Sequence, residues 1–410
     1  MTARLGVGMV GHAFMGLAHS HAWQTAPRFF DLPLHPDLAV VAGRDAQRTA
    51  AAAQRLGWRS STTDWRELLG RDDVDLVDIC TPGDTHAEIA IAALEAGKHV
   101  LCEKPLANSV AEAEAMVAAA AARPELAAMV GYSYRRVPAI ALARRLVAEG
   151  RIGTVRHARG LYLQDWLSDP ATPLSWRLDK AKAGSGSLGD IGAHVIDLVQ
   201  FITGETLTGV SAQLATFVAE RPVAAEFGGL SGVGDAGGAT GPVTVDDAAV
   251  FTSRLSGGGL ALFEATRFAL GRRNAIRVEI NGTDGSIAFD FEDMNVLHVY
   301  DAHDPAGLQG FRRVYVTEPE HPYTGSWWPT GHGLGYEHAF THQVVDLVEA
   351  VAAGTPPTPT FADGLQVQRV LDALAGINGP PPVLQQEDDG PPAPDAGPTD
   401  DGGTPPQEDA

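Results

Sequence analysis

Asp190 and His194 stand four residues apart directly after the glycine-rich run Gly184-Ser185-Gly186-Ser187-Leu188-Gly189, and Asp197 follows three residues later. On a helix this spacing lays all three side chains along one face. Histidine titrates near neutrality, and a neighbouring carboxylate fixes its tautomer and strengthens it as a base. The pair reads as a proton-abstracting group and its orienter, with His194 as the base and Asp190 holding the ring and stabilising the imidazolium. Asp197 is left to cap, to orient or to bind a hydroxyl. On an ordinary surface helix the same pattern is merely solvated, so its meaning depends on what the rest of the chain sets beside it.

Two other segments supply that setting. Leu5 to Val10 is an apolar strand that runs into Gly11-His12-Ala13-Phe14-Met15-Gly16 and then into a helix carrying Leu17, Ala18 and Ala22. Strand, glycine turn and helix in this order make a dinucleotide-binding unit, in which Gly11 permits the tight turn, Gly16 close packing, and the helix N-terminus offers N–H groups to a pyrophosphate. Ala13 stands where the fingerprint has its second glycine. The second segment is the apolar strand Val100 to Cys102, which ends in Glu103-Lys104-Pro105. Ligands of doubly wound sheets gather at the carboxyl ends of strands, so Glu103 and Lys104 are expected where cofactor and substrate meet. Pro105 restrains Lys104 to an extended backbone. The Lys104 ammonium would hydrogen-bond the reacting oxygen and favour negative charge on it.

Strands at 38–42, 76–80, 99–102 and 128–131 alternate with alanine-rich helices at 46–56 and 87–96, the pattern of a parallel sheet covered by helices. A helix over 139–149 then leads to a strand over 155–163. Beyond Asp190, strands at 210–218, 248–255, 259–266, 275–281 and 286–291 read as a meander with turns at Gly257-Gly258 and at 282–285. The fold class is α/β: an N-terminal Rossmann domain, 1–135, and a C-terminal α+β domain, 136–378, with a large open, mostly antiparallel sheet. That sheet offers one face for pairing into a homodimer or homotetramer. Residues 228–241 read as a flexible glycine-rich loop, and helices are expected over 338–353 and 361–374. From about 379 to 410 the chain is proline, glycine and acid, too poor in apolar surface to offset chain entropy, and is expected to be disordered.

The 410 residues carry a net charge of -21, with eight acids and no base after Gly379. Such acidity disfavours nucleic acid and anionic membranes. Cys80 and Cys102, the two cysteines, each end an apolar strand, which suits buried thiols of a reducing compartment. No signal-peptide pattern opens the sequence and no run reaches the roughly 18 apolar residues of a membrane span. A cytoplasmic location is expected. No Cys or His-Glu pattern completes a metal site around Asp190 and His194, and none is expected. His19 and His21 near the first helix read as packed or solvated, and His338 and His342, four residues apart, read as a solvated helix face.

In these motifs and their order the chain resembles the Gfo/Idh/MocA oxidoreductases over about residues 4 to 378. Glu103-Lys104-Pro105, Thr81-Pro82 with His86, and the glycine-rich element with Asp190 and His194 carry the resemblance. Within the family Tyr162 to Trp166, Ser175-Trp176-Arg177, 183–186 and Val245-Asp246-Asp247 are most similar to the levoglucosan dehydrogenases. The resemblance implies oxidation of a secondary hydroxyl of a sugar, anhydrosugar or polyol, with Lys104, Asp190 and His194 as the catalytic residues. It implies a cofactor held by Gly11, His12, Ala13, Phe14, Met15, Gly43, Arg44, Thr81, Pro82, His86, Glu103 and Lys104. Substrate would meet Lys104, Tyr132, Gln164, Trp166, Trp176, Arg177, Asp190 and His194, with two of the four aromatics Tyr132, Tyr162, Trp166 and Trp176 expected in the core. Asp165 is a further hydroxyl-binding candidate. Family members that retain a tightly bound nicotinamide for sugar dehydration or glycosidic cleavage, and sugar-responsive repressors, are the alternative readings. The retained trio of Lys104, Asp190 and His194 weighs against a repressor.

NAD-preferring enzymes place an acid at the end of the second strand, where it binds the ribose hydroxyls and repels a 2′-phosphate. Here Gly43 occupies that place and Arg44 follows, which removes the repulsion and supplies a guanidinium for a phosphate. The resemblance implies NAD and the local chemistry favours NADP. Both are expected to serve, with NADP the better, and Arg44→Ala is expected to lower the NADP to NAD ratio of kcat/KM. Strong NAD preference in the unsubstituted chain, or a ratio unmoved by the substitution, would refute a phosphate role for Arg44.

Overall fold

The computed structural model describes residues 3–223 and 239–377. Most of the expected glycine-rich loop, at 228–238, and the expected tail from 379 lie outside the described residues. In the first part of the chain, strands β1 (Ala3–Val10), β2 (Leu34–Ala42), β3 (Ser60–Thr62), β4 (Leu76–Ile79), β5 (His99–Cys102) and β6 (Ala128–Val130) alternate with helices α1 (Phe14–Phe29), α2 (Ala46–Leu56), α3 (His86–Glu95) and α4 (Val110–Ala121). The strands form one parallel sheet in the order β3-β2-β1-β4-β5-β6. β1 and β4 are buried along nearly their whole length because helices cover both faces, which is why they read as continuous apolar runs and not as alternation. The order reverses between β1 and β4, so the carboxyl ends of these two strands border a crevice. The helix ends are set locally. Asp45 accepts the Arg48 amide at 2.8 Å to begin α2, and Gly57, with φ 74°, closes it.

Helix α5 (Pro138–Ala148), strand β7 (Val155–Leu163), the short helix α6 (Lys180–Ala183) and helix α7 (Ala193–Thr203) open the second part. Strands β8 (Leu207–Ala215), β9 (Glu220–Pro222), β10 (Thr240–Pro242), β11 (Ala248–Leu255), β12 (Leu260–Thr266), β13 (Ala275–Gly282), β14 (Gly285–Asp290), β15 (Val296–Asp301) and β16 (Arg312–Tyr315) follow. Eight strands make a sheet in the order β16-β15-β14-β13-β7-β12-β11-β8, antiparallel except where β7 meets β12. α5 and α7 pack against it. β11 accordingly alternates buried with exposed residues, and its Phe251 stacks at 4.6 Å on Phe263, its register partner on β12.

The expected meander is corrected in two respects. β7 enters between β12 and β13, because alternation fixes which face a residue takes but not which strand lies alongside. β8 ends at Ala215, three residues early, because the Asp247 carboxylate takes the amides of Phe217 and Val218 at 2.8 and 3.1 Å and draws the chain out of the ladder.

Helices α8 (Tyr336–Ala353) and α9 (Phe361–Ile377) return to the first sheet, α8 against α1 and α9 against α4. Phe340, Val344 and Val348 share an apolar cluster with Trp23. His342 is not on a solvated face as expected. It is fully buried, with Nδ1 at 3.0 Å from the Arg136 carbonyl and Nε2 accepting from Trp327 Nε1 at 2.7 Å. Cys80 and Cys102 are buried free thiols. Among the described residues no helix is long and apolar enough to cross a membrane.

Candidate active site

The glycine turn after β1 has the shape a dinucleotide needs. Gly11 takes φ 95°, and a Cβ there would lie 2.8 Å from the Cys80 carbonyl oxygen. α1 begins at Phe14 with no side chain capping it, so its first amides face outward past Ala13. The absence of an acid after β2 has a steric reason. A Cβ at Gly43 would sit 2.5 Å from both the His12 Nε2 and the Thr49 Oγ1, which are 3.1 Å from each other. His12 thus fills the space above Gly43, and Arg44 is exposed with no ion pair among the described residues.

Two of the residues expected at the cofactor, His86 and Glu103, have their side chains engaged inside the protein. His86 is buried, its Nε2 2.9 Å from the Thr81 carbonyl and its Nδ1 2.9 Å from that of Pro105. Its ring is committed to tying the Thr81-Pro82 turn to the turn after Lys104, so it positions those backbones without a free edge for a ligand. Glu103 is 3% exposed and turns its carboxylate inward, where Oε1 lies 3.0 Å from His19 Nε2. The other nitrogen of His19 is 2.9 Å from Asp78 Oδ1, and Trp23 Nε1 donates to Asp78 Oδ2 at 2.7 Å. An ionised carboxylate only accepts, so a ring set between two of them carries both protons. Burial opposes that charge, yet Asp78 outweighs it and holds the His19 pKa well above its usual value. His19 is therefore neither solvated nor simply packed. His19, Asp78 and Cys80 place ligand-type atoms within 4.8 Å of one another, but the His19 nitrogens and the Cys80 thiol are directed at carboxylates of this same cluster.

Lys104 leaves β5 through a cis bond to Pro105 and reaches across to the second part of the chain. Its ammonium donates to the Asp190 carbonyl at 2.6 Å and lies 3.5 Å from Asp190 Oδ1. The Asp190 segment, Leu188–Gly192, is one π-helical turn leading into α7. This wider turn explains why the expected single face does not form. Asp190 does not hydrogen-bond His194, and its Oδ2 faces Arg267 Nη1 at 3.4 Å. Asp197 points elsewhere, into a buried two-bond pair with Arg135 at 2.5 and 2.8 Å, and takes no part in the site.

His194 instead stands in a box of aromatic rings, with Tyr134, Tyr162 and Tyr132 centroids at 4.7, 5.8 and 6.1 Å. Its Nδ1 is buried without a hydrogen-bond partner. Burial first, and the Lys104 charge second, hold its pKa well below the ordinary histidine value. For Asp190, burial works the other way, but Lys104, Arg267 and Arg177 outweigh it and keep the carboxyl well below the usual carboxylate range. The site thus pairs a neutral imidazole with a firmly ionised carboxylate.

Of the four aromatics, Tyr132 and Tyr162 are core, and Trp166 and Trp176 are half-buried. Tyr132 forms a wall beneath His194 and not an open sugar-stacking face. Gln164 is held between partners, donating to Asn274 Oδ1 at 2.8 Å and accepting from Trp166 Nε1 at 2.9 Å. Asp165 faces away, onto the Gly271 amide and Arg273. Arg177 lies over the Trp176 ring at 4.5 Å and has no ion pair among the described residues.

Two residues that shape the site were given no role in it from the sequence: Asp246, noted only for the likeness of Val245-Asp246-Asp247, and Arg267. Asp246 is buried, accepts the Gly186 and Leu188 amides and the Ser187 hydroxyl, all at 2.7 Å, and so fixes the start of the π-turn. Arg267, just beyond β12, is fully buried against Asp190. The available signals were the paired acids at 246–247 before a strand, and an arginine immediately following one.

Residues 5–132 match the oxidoreductase family with an NAD-binding Rossmann fold, and residues 140–288 match the GFO/IDH/MocA C-terminal domain. A levoglucosan dehydrogenase of Pseudarthrobacter phenanthrenivorans is 45% identical over 375 residues, 90% of this chain and 95% of that one. A crystal structure of an oxidoreductase domain protein from Kribbella flavida superposes with a TM-score of 0.87 at 66% identity, covering 92% and 97% of the two chains. A levoglucosan dehydrogenase in complex with NADH and levoglucosan superposes with a TM-score of 0.85 at 44% identity, covering 91% and 97%. The chain belongs to the Gfo/Idh/MocA family of oxidoreductases.

The His194 environment gives a pH prediction. A depressed pKa keeps the imidazole neutral, and so able to accept a proton, down to pH values where a free histidine of pKa about 6.5 is already charged. The acid limb of kcat/KM for alcohol oxidation is therefore expected below about pH 6.5. A limb centred at or above that value would refute the burial argument for His194.

Proposed function

We propose that this chain is an NAD(P)-dependent dehydrogenase that oxidises a secondary hydroxyl of a sugar, anhydrosugar or polyol to a ketone. The observation that carries the reading is the Lys104 ammonium, at the end of a Rossmann strand, anchored on Asp190 beside a neutral, buried His194. A bound dinucleotide supplies the hydride acceptor, and the turn from Gly11 to Met15, with Gly43, Arg44, Thr81 and Pro82, would hold it. His194 takes the hydroxyl proton as the substrate C–H bond breaks. Lys104 hydrogen-bonds the reacting oxygen, where negative charge gathers, and Asp190 keeps that ammonium in place. Trp166, Trp176, Gln164 and Arg177 would contact the sugar. The similarity to enzymes named for levoglucosan supports an anhydrosugar or related pyranose, and the relatives complexed with NADH support a nicotinamide dinucleotide.

The experiment is a panel of levoglucosan, pyranoses and inositols with NAD and NADP, followed by nicotinamide absorbance. His194→Asn and Lys104→Ala are expected to lower turnover by about 100-fold to 10,000-fold while leaving dinucleotide binding intact. Near-normal rates in both variants would remove this site. Substrate consumption without net reduction of the dinucleotide would favour a redox-assisted dehydratase or glycosidase instead.

We further infer that copies of the chain associate through the uncovered face of the eight-stranded sheet. Val250 on β11 and Leu260 and Leu262 on β12 are 49%, 49% and 43% exposed there, on one face of two paired strands, with Val250 opposite Glu264, Leu262 opposite Thr252 and Leu260 opposite Arg254. Leu262→Glu is expected to shift the sedimentation mass toward a single chain. An unchanged mass, or a single chain before substitution, would rule this face out.

A further inference from the structure

Arg267 belongs to none of the motifs that mark the site, yet it is the side chain on which several of them converge. It is fully buried, and its only ion pair among the described residues is with Asp190, Nη1 to Oδ2 at 3.4 Å. Nη2 donates to the Asp246 carbonyl at 3.2 Å, and the guanidinium lies 5.6 Å from the Trp166 ring centroid. Asp246 is the same residue whose carboxylate caps the turn bearing Asp190. Lys104 holds Oδ1 of Asp190 and Arg267 faces Oδ2, so each carboxylate oxygen has its own cation.

We propose that Arg267 is a positioning residue for the dehydrogenase reaction: it fixes the direction of the Asp190 carboxylate, and with it the negative charge that the Lys104 ammonium faces. The physical need is clear. Asp190 has lost the hydrogen bond to His194 that helical spacing would have provided, so without a second anchor the carboxylate could turn about its Cβ and carry its charge out of line with the Lys104 ammonium, which the Asp190 backbone carbonyl holds at 2.6 Å. A planar guanidinium with two donors, one on the carboxylate and one on the turn's own capping residue, removes that freedom. A lysine at this position would carry the charge but not the fork. The charged and titratable groups facing Asp190 are Lys104 after β5, Arg267 after β12, Arg177 before α6, His194 on α7, and the Tyr134 and Tyr162 phenols.

The inference rests on Asp190 acting in the reaction, and Asp190→Asn tests that first. A normal rate in Asp190→Asn would remove this inference, whereas the parent reading stands or falls with His194→Asn and Lys104→Ala. If Asp190→Asn is impaired, Arg267→Met and Arg267→Gln are expected to lower kcat about 100-fold. The acid limb of kcat/KM should move up, since loss of a cation facing Asp190 raises the Asp190 pKa. NADH binding, followed by fluorescence, should stay as in the unsubstituted enzyme and report a folded first domain. Arg267→Lys should keep the original acid limb with a smaller loss of kcat. Added to Asp190→Asn, the change Arg267→Met should cost little more, because the two act as one unit. Neutral variants with an unshifted acid limb, or a full additional loss when Arg267→Met is combined with Asp190→Asn, would overturn the assignment and leave Arg267 a structural residue. Should neither neutral variant fold, Arg267→Lys decides: undiminished kcat would refute the need for the fork.

Discussion

The contact of the Lys104 ammonium with Asp190 is the constraint around which the site is arranged. Lys104 ends a strand of the parallel sheet and Asp190 sits in the turn before α7, so one side chain spans the two parts of the chain. Its 2.6 Å bond is to the Asp190 backbone carbonyl, and a backbone acceptor holds the ammonium regardless of how the carboxylate turns. The carboxylate then sets the direction of the charge it faces. The surrounding structure serves to keep both ends fixed. His86 bridges the turns at Thr81 and Pro105 behind Lys104, while Asp246 pins three donors at the start of the turn bearing Asp190. Both supports are buried and hydrogen-bonded, which is what converts a flexible lysine into a directed one.

The motif that announces the site in the sequence also misdescribes its geometry. Asp190 and His194 at helical spacing suggest a carboxylate holding an imidazole, and the π-turn breaks that pairing. The consequence is chemical. A histidine held by a carboxylate gains basicity, whereas His194, walled by tyrosines and near Lys104, loses it. A weaker base can still accept the proton when a neighbouring cation makes the hydroxyl more acidic, and Lys104 is placed to do so. In the proposed reaction, base strength is exchanged for stabilisation of the oxygen left behind.

Much of this was legible from residue patterns, and the gaps have a common cause. Period and turn chemistry located α2, β7 and β11 to the residue, because short-range forces decide where such elements begin and end. The strands at Val10, Cys80 and Cys102 deliver Gly11, Thr81 and Lys104 to one crevice, as a doubly wound sheet requires. Partner choice across the chain was not legible. Asp197 belongs to Arg135, Glu103 and Asp78 to His19, and Asp190 to Arg267, pairs separated by 62, 84, 59 and 77 residues in sequence. No local pattern specifies such pairs, since each depends on two distant elements arriving at one place. The insertion of β7 between β12 and β13 is the same failure at the level of strands.

The charges gathered at the site explain why so many of these long-range pairs fall near it. Lys104, Arg177 and Arg267 surround a single carboxylate, and His194 adds no charge while it is neutral. Two unit charges about 4 Å apart in a partly buried setting interact by roughly 4 kcal/mol, enough for two such neighbours to overcome the cost of burying Asp190. With Asp190 ionised, the cluster still holds more positive than negative charge. A site of that balance favours an oxygen that becomes negative during reaction over one that stays neutral, and disfavours protonation of His194 until the hydroxyl proton arrives. In the proposed reaction the carboxylate takes no proton. It lets three cations stand close together without driving one another apart, and under the proposed function that leaves one of them, Lys104, to act on the substrate.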